Sequence, residues 1–538
     1  MMTQSIIGRS NGAPGKTEDR PRSDCLIGAP LGAQSATLPV LAAREHVSEP
    51  RGTPKSADAD RFGERIRLGV LTRWITPQII DEVLEQTGRV ELRRRLLPAR
   101  AVMYFVLGLC LFSSAESAGQ PGYRAVLRGL TNKLRHLPDF AFQQLPTSSA
   151  LTRARQRLGD KPLHALFERL SGPLASPSTV SAFAFGLRLV AWDGTVLDVP
   201  DTPANAEFGF TGKNGVNLSG NPQVRLMALV ECGTHALIDA AFDAVARFSE
   251  HALARRLLAS LDASMLLLAD RNFAGYELWA ATRATGAHMV WRIKQNAVFD
   301  PLEVLPDGSF LAIMRTPADN VRYGQARAAG RTLKATPHGH LVRIINYTVT
   351  VHPAGGLPQK EVFRLVTSLL NHKHAPARQL AMIYHRRWEI ENCYAEIKNR
   401  LRGAGFVLRS KLPELVSQEV YALLTVYQAL CAVEVQAAEQ AGIDPERVSF
   451  TVTVQLVRLS TTDQAAADTA TLGTARRQVT EDLLDALLPP RRDRRCERVK
   501  KPPKNTFETK KRDRPRTESN VSYRLTLARH PPLPATMP

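Results

Sequence analysis

The chain has 538 residues, 44% of them hydrophobic and 23% charged, which leaves room for two to four domains and excludes a fibrous or wholly disordered protein. A net charge of +20 and a pI near 10 exclude an acidic surface and point to a polyanion such as nucleic acid as the partner. Six scattered cysteines without a CxxC pair exclude a zinc finger and a disulfide framework and fit a reducing cytosol.

In chain order, residues 1–60 are rich in Gly, Pro, Ser and Ala, carry seven basic and seven acidic residues, and read as disordered. Thr76-Pro77 is a helix start, with Ile79, Ile80, Val83 and Leu84 behind it and Gly88 as a stop. The apolar run 101–112 is too short to span a bilayer and too far from the start for a signal peptide, so it reads as a buried helix within about 98–113. Further helices are expected at about 122–135 and 149–158, the latter carrying Arg153, Arg155 and Arg157. Region 61–160 is thus compact, helical and basic. It reads as a DNA-binding domain, or as a packing domain with a solvated charged face.

From 180 to 298 the pattern is that of a mixed α/β core. LRLVAWDGTVLDV (187–199) alternates, and VRLMALVEC and ALIDAAFDAV flank Gly233 as a hairpin pair. Ser249 caps a helix, LLLAD (266–270) is the wholly apolar run of a central strand, and a helix and the strand HMVWRIK follow. Residues 299–375 hold β-branched alternation and turn residues with little helical signal, and read as a β-rich insertion. Helices are expected over 376–440 and 441–488. The tail 489–538, with thirteen basic and four acidic residues in 491–516, has the composition of a disordered basic arm.

Residues 380–403 contain no internal Gly or Pro and read as one helix of about six turns. Ile383, Ile390, Tyr394, Ile397 and Leu401 form its apolar stripe. Beside it Tyr384, Arg387, Glu391 and Lys398 fall within about 60° on the helical wheel. A carboxylate between two cations and a phenol, at the edge of a buried face, is costly unless an anion or a metal docks there. Glu389 and Glu396 point to the far side. Asp193, in WDGT, and Asp270, closing LLLAD, could share one or two divalent cations with Glu391, while Asp198 and Asp201 compete for the role of Asp193.

These residues resemble a known family. Tyr384-x2-Arg387-x3-Glu391-x6-Lys398 is similar to the Y-R-E-K signature of the insertion-sequence-four group of bacterial DDE transposases. WDGTVLDVPDTPAN (192–205) and LLLADRNFAGYEL (266–278) resemble its two aspartate segments, and 70–113 and 122–158 resemble its helical N-terminal domain. The resemblance covers about 65–440. It implies an α/β fold: a ribonuclease-H-like catalytic core with a β-rich insertion, preceded by a helical N-terminal domain. It implies Asp193, Asp270 and Glu391 as a triad binding magnesium or manganese, as two ions, to activate water for cleavage at element ends. The freed 3′-hydroxyl then attacks target DNA. Tyr384, Arg387 and Lys398 would contact phosphates. Trp388 and Trp291 are candidates for stacking on an unstacked base, with a core role equally open to Trp291. Arg292 and Lys294 are further phosphate contacts or ordinary surface charge. The implied partners are the terminal inverted repeats and target DNA, bound by a dimer, with no membrane, in the cytoplasm at the nucleoid. The rival readings are a metal-dependent nuclease or resolvase on the same fold, and a DNA-binding protein that has lost catalysis.

Overall fold

A hydroxyl opens the first helix, α1 (Pro77–Gln86): Thr76 Oγ1 accepts from the Ile79 amide at 3.1 Å, with Pro77 supplying a fixed φ where no N–H is needed. In the computed structural model the described residues are 66–90, 97–113, 122–132, 145–211, 219–333, 335, 337–353, 357–403, 406–464, 469–489, 494–496 and 518–527, all within one unit spanning 48–538. The reading of 1–60 as disordered lies outside them. Helices α2 (Ala99–Leu111), α3 (Tyr123–Thr131) and α4 (Ser148–Leu158) follow as expected. A fifth, α5 (Lys161–Leu170), lies beyond the expected boundary at 160. Apolar on every side, α2 is buried along its length.

The core begins with three antiparallel strands, β1 (Leu187–Asp198), β2 (Gln223–Glu231) and β3 (Leu237–Ala244). Next come α6 (Glu250–Arg256), β4 (Met265–Ala269), α7 (Tyr276–Ala284) and β5 (His288–Arg292). All five residues of β4 are buried, as expected of a central strand, and it runs parallel to both β1 and β5. The order β3-β2-β1-β4-β5 is a ribonuclease-H-like sheet.

The insertion does not form a layer of its own. Its strands β6 (Phe310–Arg315), β7 (Gly339–Pro353) and β8 (Gln359–Thr367) continue the core sheet, because β8 pairs antiparallel with β5 through Val366 opposite Trp291. It also contains a helix, α8 (Pro317–Ala328), where little helical signal was expected. The start signals were present: Thr316 Oγ1 accepts from Asp319 N at 3.2 Å, with Pro317 between them.

The single helix expected over 380–403 is broken twice. α9 (Ala377–Tyr384) tightens into a 3₁₀ turn at His385–Trp388, regains α geometry as α10 (Glu389–Ala395), and widens into a π turn at Glu396–Leu401. Overwinding followed by underwinding lets one path meet partners that a regular 3.6 period would miss.

Helices α11 (Pro413–Ala441), α12 (Phe450–Gln464) and α13 (Thr469–Asp485) complete the chain's helical part. By length and composition α11 could cross a membrane, but 89% of its apolar window is buried inside the protein. α2 and α5 lie along it, and the side chains from Ile66 to Leu170 share one hydrophobic core with those from Val416 to Leu483. Region 61–160 is therefore half of a helical body rather than a free-standing domain. The tail differs too. β9 (Glu518–Leu527) pairs antiparallel with β7, and Arg494–Cys496 pairs with β9. This corrects the reading of 489–538 as wholly disordered. Val521, Tyr523, Leu525 and Leu527 alternate with polar residues, and the open edge of β7 takes them.

Arg155, one of the three arginines expected on α4, has no exposed surface. Its guanidinium donates to Gln418 Oε1 at 2.7 Å, Ser410 Oγ at 2.9 Å, the Leu415 carbonyl at 3.1 Å and the Tyr123 hydroxyl, tying α3 and α4 to α11. Replacing it strands four acceptors. Arg155→Ala should lower stability by about 3 kcal/mol in urea denaturation, whereas the exposed Arg153→Ala should stay within about 0.5 kcal/mol of the parent.

Candidate active site

Two parallel strands set the first two acids. Ala191 of β1 stands opposite Leu268 of β4, and Asp193 and Asp270 each lie two residues further on. Equal offsets put both side chains on the same face of strands about 4.8 Å apart. Asp193 Oδ1 accepts from the Gly194 amide at 2.8 Å, and Asp270 Oδ1 accepts from the Asn272 amide at 2.7 Å.

Tyr394 brings the helix to the sheet. Its buried hydroxyl donates to the Asp193 carbonyl at 2.6 Å and accepts from the Ala228 amide at 3.1 Å, stapling α10 to β1 and β2. Glu391, three residues earlier on α10, then faces the aspartates with its side chain 43% exposed. Arg387 spans the gap: Nη1 lies 3.4 Å from Asp193 Oδ2 and Nη2 lies 3.2 Å from Glu391 Oε1. Burial works against the charge of Arg387, but Tyr384, Asp193 and Glu391 outweigh it and hold its pKa above the ordinary value. Its Nε is buried without a hydrogen-bond partner among the described residues.

Burial also raises the pKa of Asp193 to about 6, against the Gly194 amide and Arg387 and with the help of the negative charges of Asp270 and Glu250. So the cleft holds more carboxylate charge than its own cation neutralises, which is the donor chemistry that suits a divalent ion. Among the described residues no three Asp, Glu, His or Cys side chains are drawn close enough to hold an ion as they stand, since Arg387 lies between two of them.

The other candidates divide. Tyr384 is buried beside Arg387, and desolvation pushes its hydroxyl up to about 12 against the guanidinium's charge. Lys398 is half-buried, and desolvation lowers its pKa; Nζ donates to Thr195 Oγ1 at 3.1 Å and the Val196 carbonyl at 3.0 Å, leaving one N–H. Trp388 is 54% exposed with Arg387 near its ring, as a stacking platform requires. Trp291 is not such a platform. It has no exposed surface and packs among Trp192, at 5.9 Å, and Trp279, at 5.1 Å between ring centroids. Its strand, β5, is covered on that face by α7. Arg292 is already paired with Glu361 at 2.9 Å and lies over Phe363, whereas Lys294 is exposed. Asp198 accepts from Gln223 at 2.6 Å, and Asp201 is exposed, so Asp193 alone of the three meets Arg387.

Three residues escaped the sequence reading. Glu250 opens α6 beside Asp193, and Asn272 follows Asp270. His235, in the β2–β3 turn, sits between Glu389 (2.8 Å) and Glu396 (2.9 Å) on the far side of the helix. Burial opposes its charge, but the two carboxylates raise its pKa well above the ordinary value. Glu389 and Glu396 do point away from the cleft, into the protein rather than into water. Only the spacing of two acids seven residues apart on one helix face hinted at a shared partner.

The family model described as Insertion element 4 transposase N-terminal matches residues 65–168, and the one described as Transposase DDE domain matches residues 184–428. Transposase InsG for insertion sequence element IS4 of Escherichia coli is 29% identical over 405 residues, covering 74% of this chain and 84% of that protein. A second Escherichia coli relative, InsZ, is 28% identical over 225 residues, covering 41% of this chain and 67% of that one. A solved piggyBac transposase synaptic complex with hairpin DNA aligns over 76% of this chain at 9% identity and a TM-score of 0.38, too loose a likeness to argue from.

The raised pKa of Asp193 carries a sign. Between its unfolded value near 3.8 and its folded value near 6 the native state binds the extra proton, so stability falls as pH rises through that window. Above it the ionised group costs about 3 kcal/mol. In EDTA at pH 7.5, Asp193→Asn should therefore melt above the parent protein, and the gap should close as pH falls below the window. A variant that melts lower at pH 7.5 would show that repulsion does not dominate the cleft.

Proposed function

This chain belongs to the insertion-element-4 group of DDE transposases, enzymes of DNA cleavage and strand transfer that depend on divalent metal, and from that membership we propose that it moves its element by a cut-and-paste route through Asp193, Asp270 and Glu391. The observation that carries the residue assignment is Arg387, which joins Asp193 to Glu391 across the sequence while Asp270 stands beside Asp193 in the parallel register.

Two magnesium or manganese ions, when bound, would supply Lewis-acid stabilisation of the attacking and leaving oxygens. The chain's own residues do the rest. Asp193, Asp270 and Glu391 provide the carboxylate oxygens that hold the cations. Arg387 is then freed from neutralising Asp193 and Glu391, and its fork, including the unpaired Nε, turns to a phosphate of the element end. Tyr384 keeps that fork in register from below. Lys398 offers its remaining N–H to a second phosphate. Trp388 presents an exposed ring on which an unstacked terminal base can lie, an interaction of about 1–3 kcal/mol. Exposed Arg124, Arg128 and Arg153 on α3 and α4 suit contacts to DNA further from the cut. Cleavage breaks the P–O3′ bond at the element end, and the freed 3′-hydroxyl becomes the nucleophile on target DNA. Joining two ends calls for a dimer on terminal inverted repeats, acting on chromosomal DNA in the cytoplasm.

The test is a reaction of the full chain with magnesium, labelled element ends and plasmid target. Strand-transfer products are expected. Asp193→Asn, Asp270→Asn and Glu391→Gln should each lose about 10³-fold in rate, near 4 kcal/mol of barrier. Cleavage without joining would identify a nuclease instead, and unaffected cleavage in all three variants would sink the triad. For Lys398→Ala, weaker end binding is expected with a salt slope shallower by about one unit; an unchanged slope would remove Lys398 from the phosphate contacts.

A further inference from the structure

Glu250 is the fourth acid of the cleft, and its surroundings are built to keep it there. A Cβ on Gly194 would stand 2.7 Å from its Cγ, Cδ and Oε1. The glycine after Asp193 is thus what lets this carboxyl lie against the strand. On its other side Glu250 Oε2 accepts from Asn272 Nδ2 at 2.7 Å, and the backbone amide of that same asparagine is held by Asp270. One residue therefore ties Glu250 to the segment that carries the second aspartate.

Close to Glu250 in sequence, Arg247, Arg255 and Arg256 pair with Glu207, Glu277 and Asp243, and among the described residues Glu250 joins no ion pair. Arg387 spends its two Nη groups on Asp193 and Glu391. Asp193 immediately precedes the glycine against which Glu250 lies. A carboxylate held by a glycine gap and an amide donor between the segments of Asp193 and Asp270, with no ion pair among the described residues, is placed to take a cation. Hard divalent cations take several carboxylate oxygens.

We propose that Glu250 is a fourth carboxylate of the catalytic metal site and shares a divalent cation with Asp193. The proposal rests on the assignment of Asp193, Asp270 and Glu391 to that site, and the experiment separates the two. The full-length protein is titrated with MnCl2 to millimolar concentration, with free Mn2+ read by electron paramagnetic resonance and the melting temperature read in parallel. The parent protein should bind the ion and melt higher. Glu250→Gln, which keeps the shape and the Asn272 contact while removing the charge, should bind about tenfold more weakly and, in EDTA, melt no lower than the parent. Gly194→Ala keeps every charge but displaces the flexible end of Glu250, so it should weaken binding in the same direction and decides the matter if Glu250→Gln does not fold. Asp193→Asn serves as the reference and should lose binding. Parent-like titration of Glu250→Gln beside a failing Asp193→Asn would overturn the proposal and leave the triad standing. A Glu250→Gln protein that melts lower in EDTA would make the carboxyl structural and overturn it too. A parent protein that binds no Mn2+, or an Asp193→Asn protein that binds it normally, would overturn both.

Discussion

Repulsion between carboxylates is the constraint that the rest of the molecule answers to. The parallel register of β1 and β4 leaves Asp193 and Asp270 no choice but to stand side by side. α10 and α6 add Glu391 and Glu250. One guanidinium, packed beside a buried phenol, bridges Asp193 and Glu391. Under the proposed metal-dependent reading, Arg387 holds the place of a more highly charged occupant, and the excess of carboxylate becomes affinity for cations.

The opposite face of the same helix explains how such a site stays in register. Tyr394 pins α10 to β1 and β2, while His235 grips Glu389 and Glu396 from the β2–β3 turn. The two acids on the His235 side bracket Glu391 in sequence, so rotating the helix to move Glu391 would break both contacts at once. The 3₁₀ turn before α10 and the π turn after it absorb the mismatch between these fixed points. The active helix is thus irregular because it is clamped from both sides, and the clamps come from different strands.

Much of this was legible in the sequence, and the parts that were not share a cause. Strand-helix order from β1 to β5 follows from periods of 2 and 3.6, and the acidic and basic stripe followed from helical spacing. Register between strands is invisible to spacing within one segment, so the sequence offers Asp193 and Asp270 as partners at strand ends without setting them side by side. Burial misled in both directions. Arg155 and Trp291 carry chemistry that suits DNA, yet Arg155 is a strut between helices and Trp291 part of a tryptophan core. A single sequence does not tell a cation facing water from one facing carbonyls. Glu250 gives no signal in the sequence, because an acid after a serine cap has an ordinary reason to be there.

The pairing of β9 with β7 has a consequence for how the chain is made. β7 ends at Pro353, and its partner begins at Glu518. A ribosome adding about 5–20 residues per second needs roughly ten to thirty seconds to cover that interval. The helical body waits as well, since α2, α4 and α5 pack against α11, which is translated long after them. Both halves of the molecule are therefore completed only within the last quarter of synthesis. A message cut short would yield a chain with an open sheet edge and an uncovered helical core, a natural substrate for chaperones and proteases rather than a shortened enzyme.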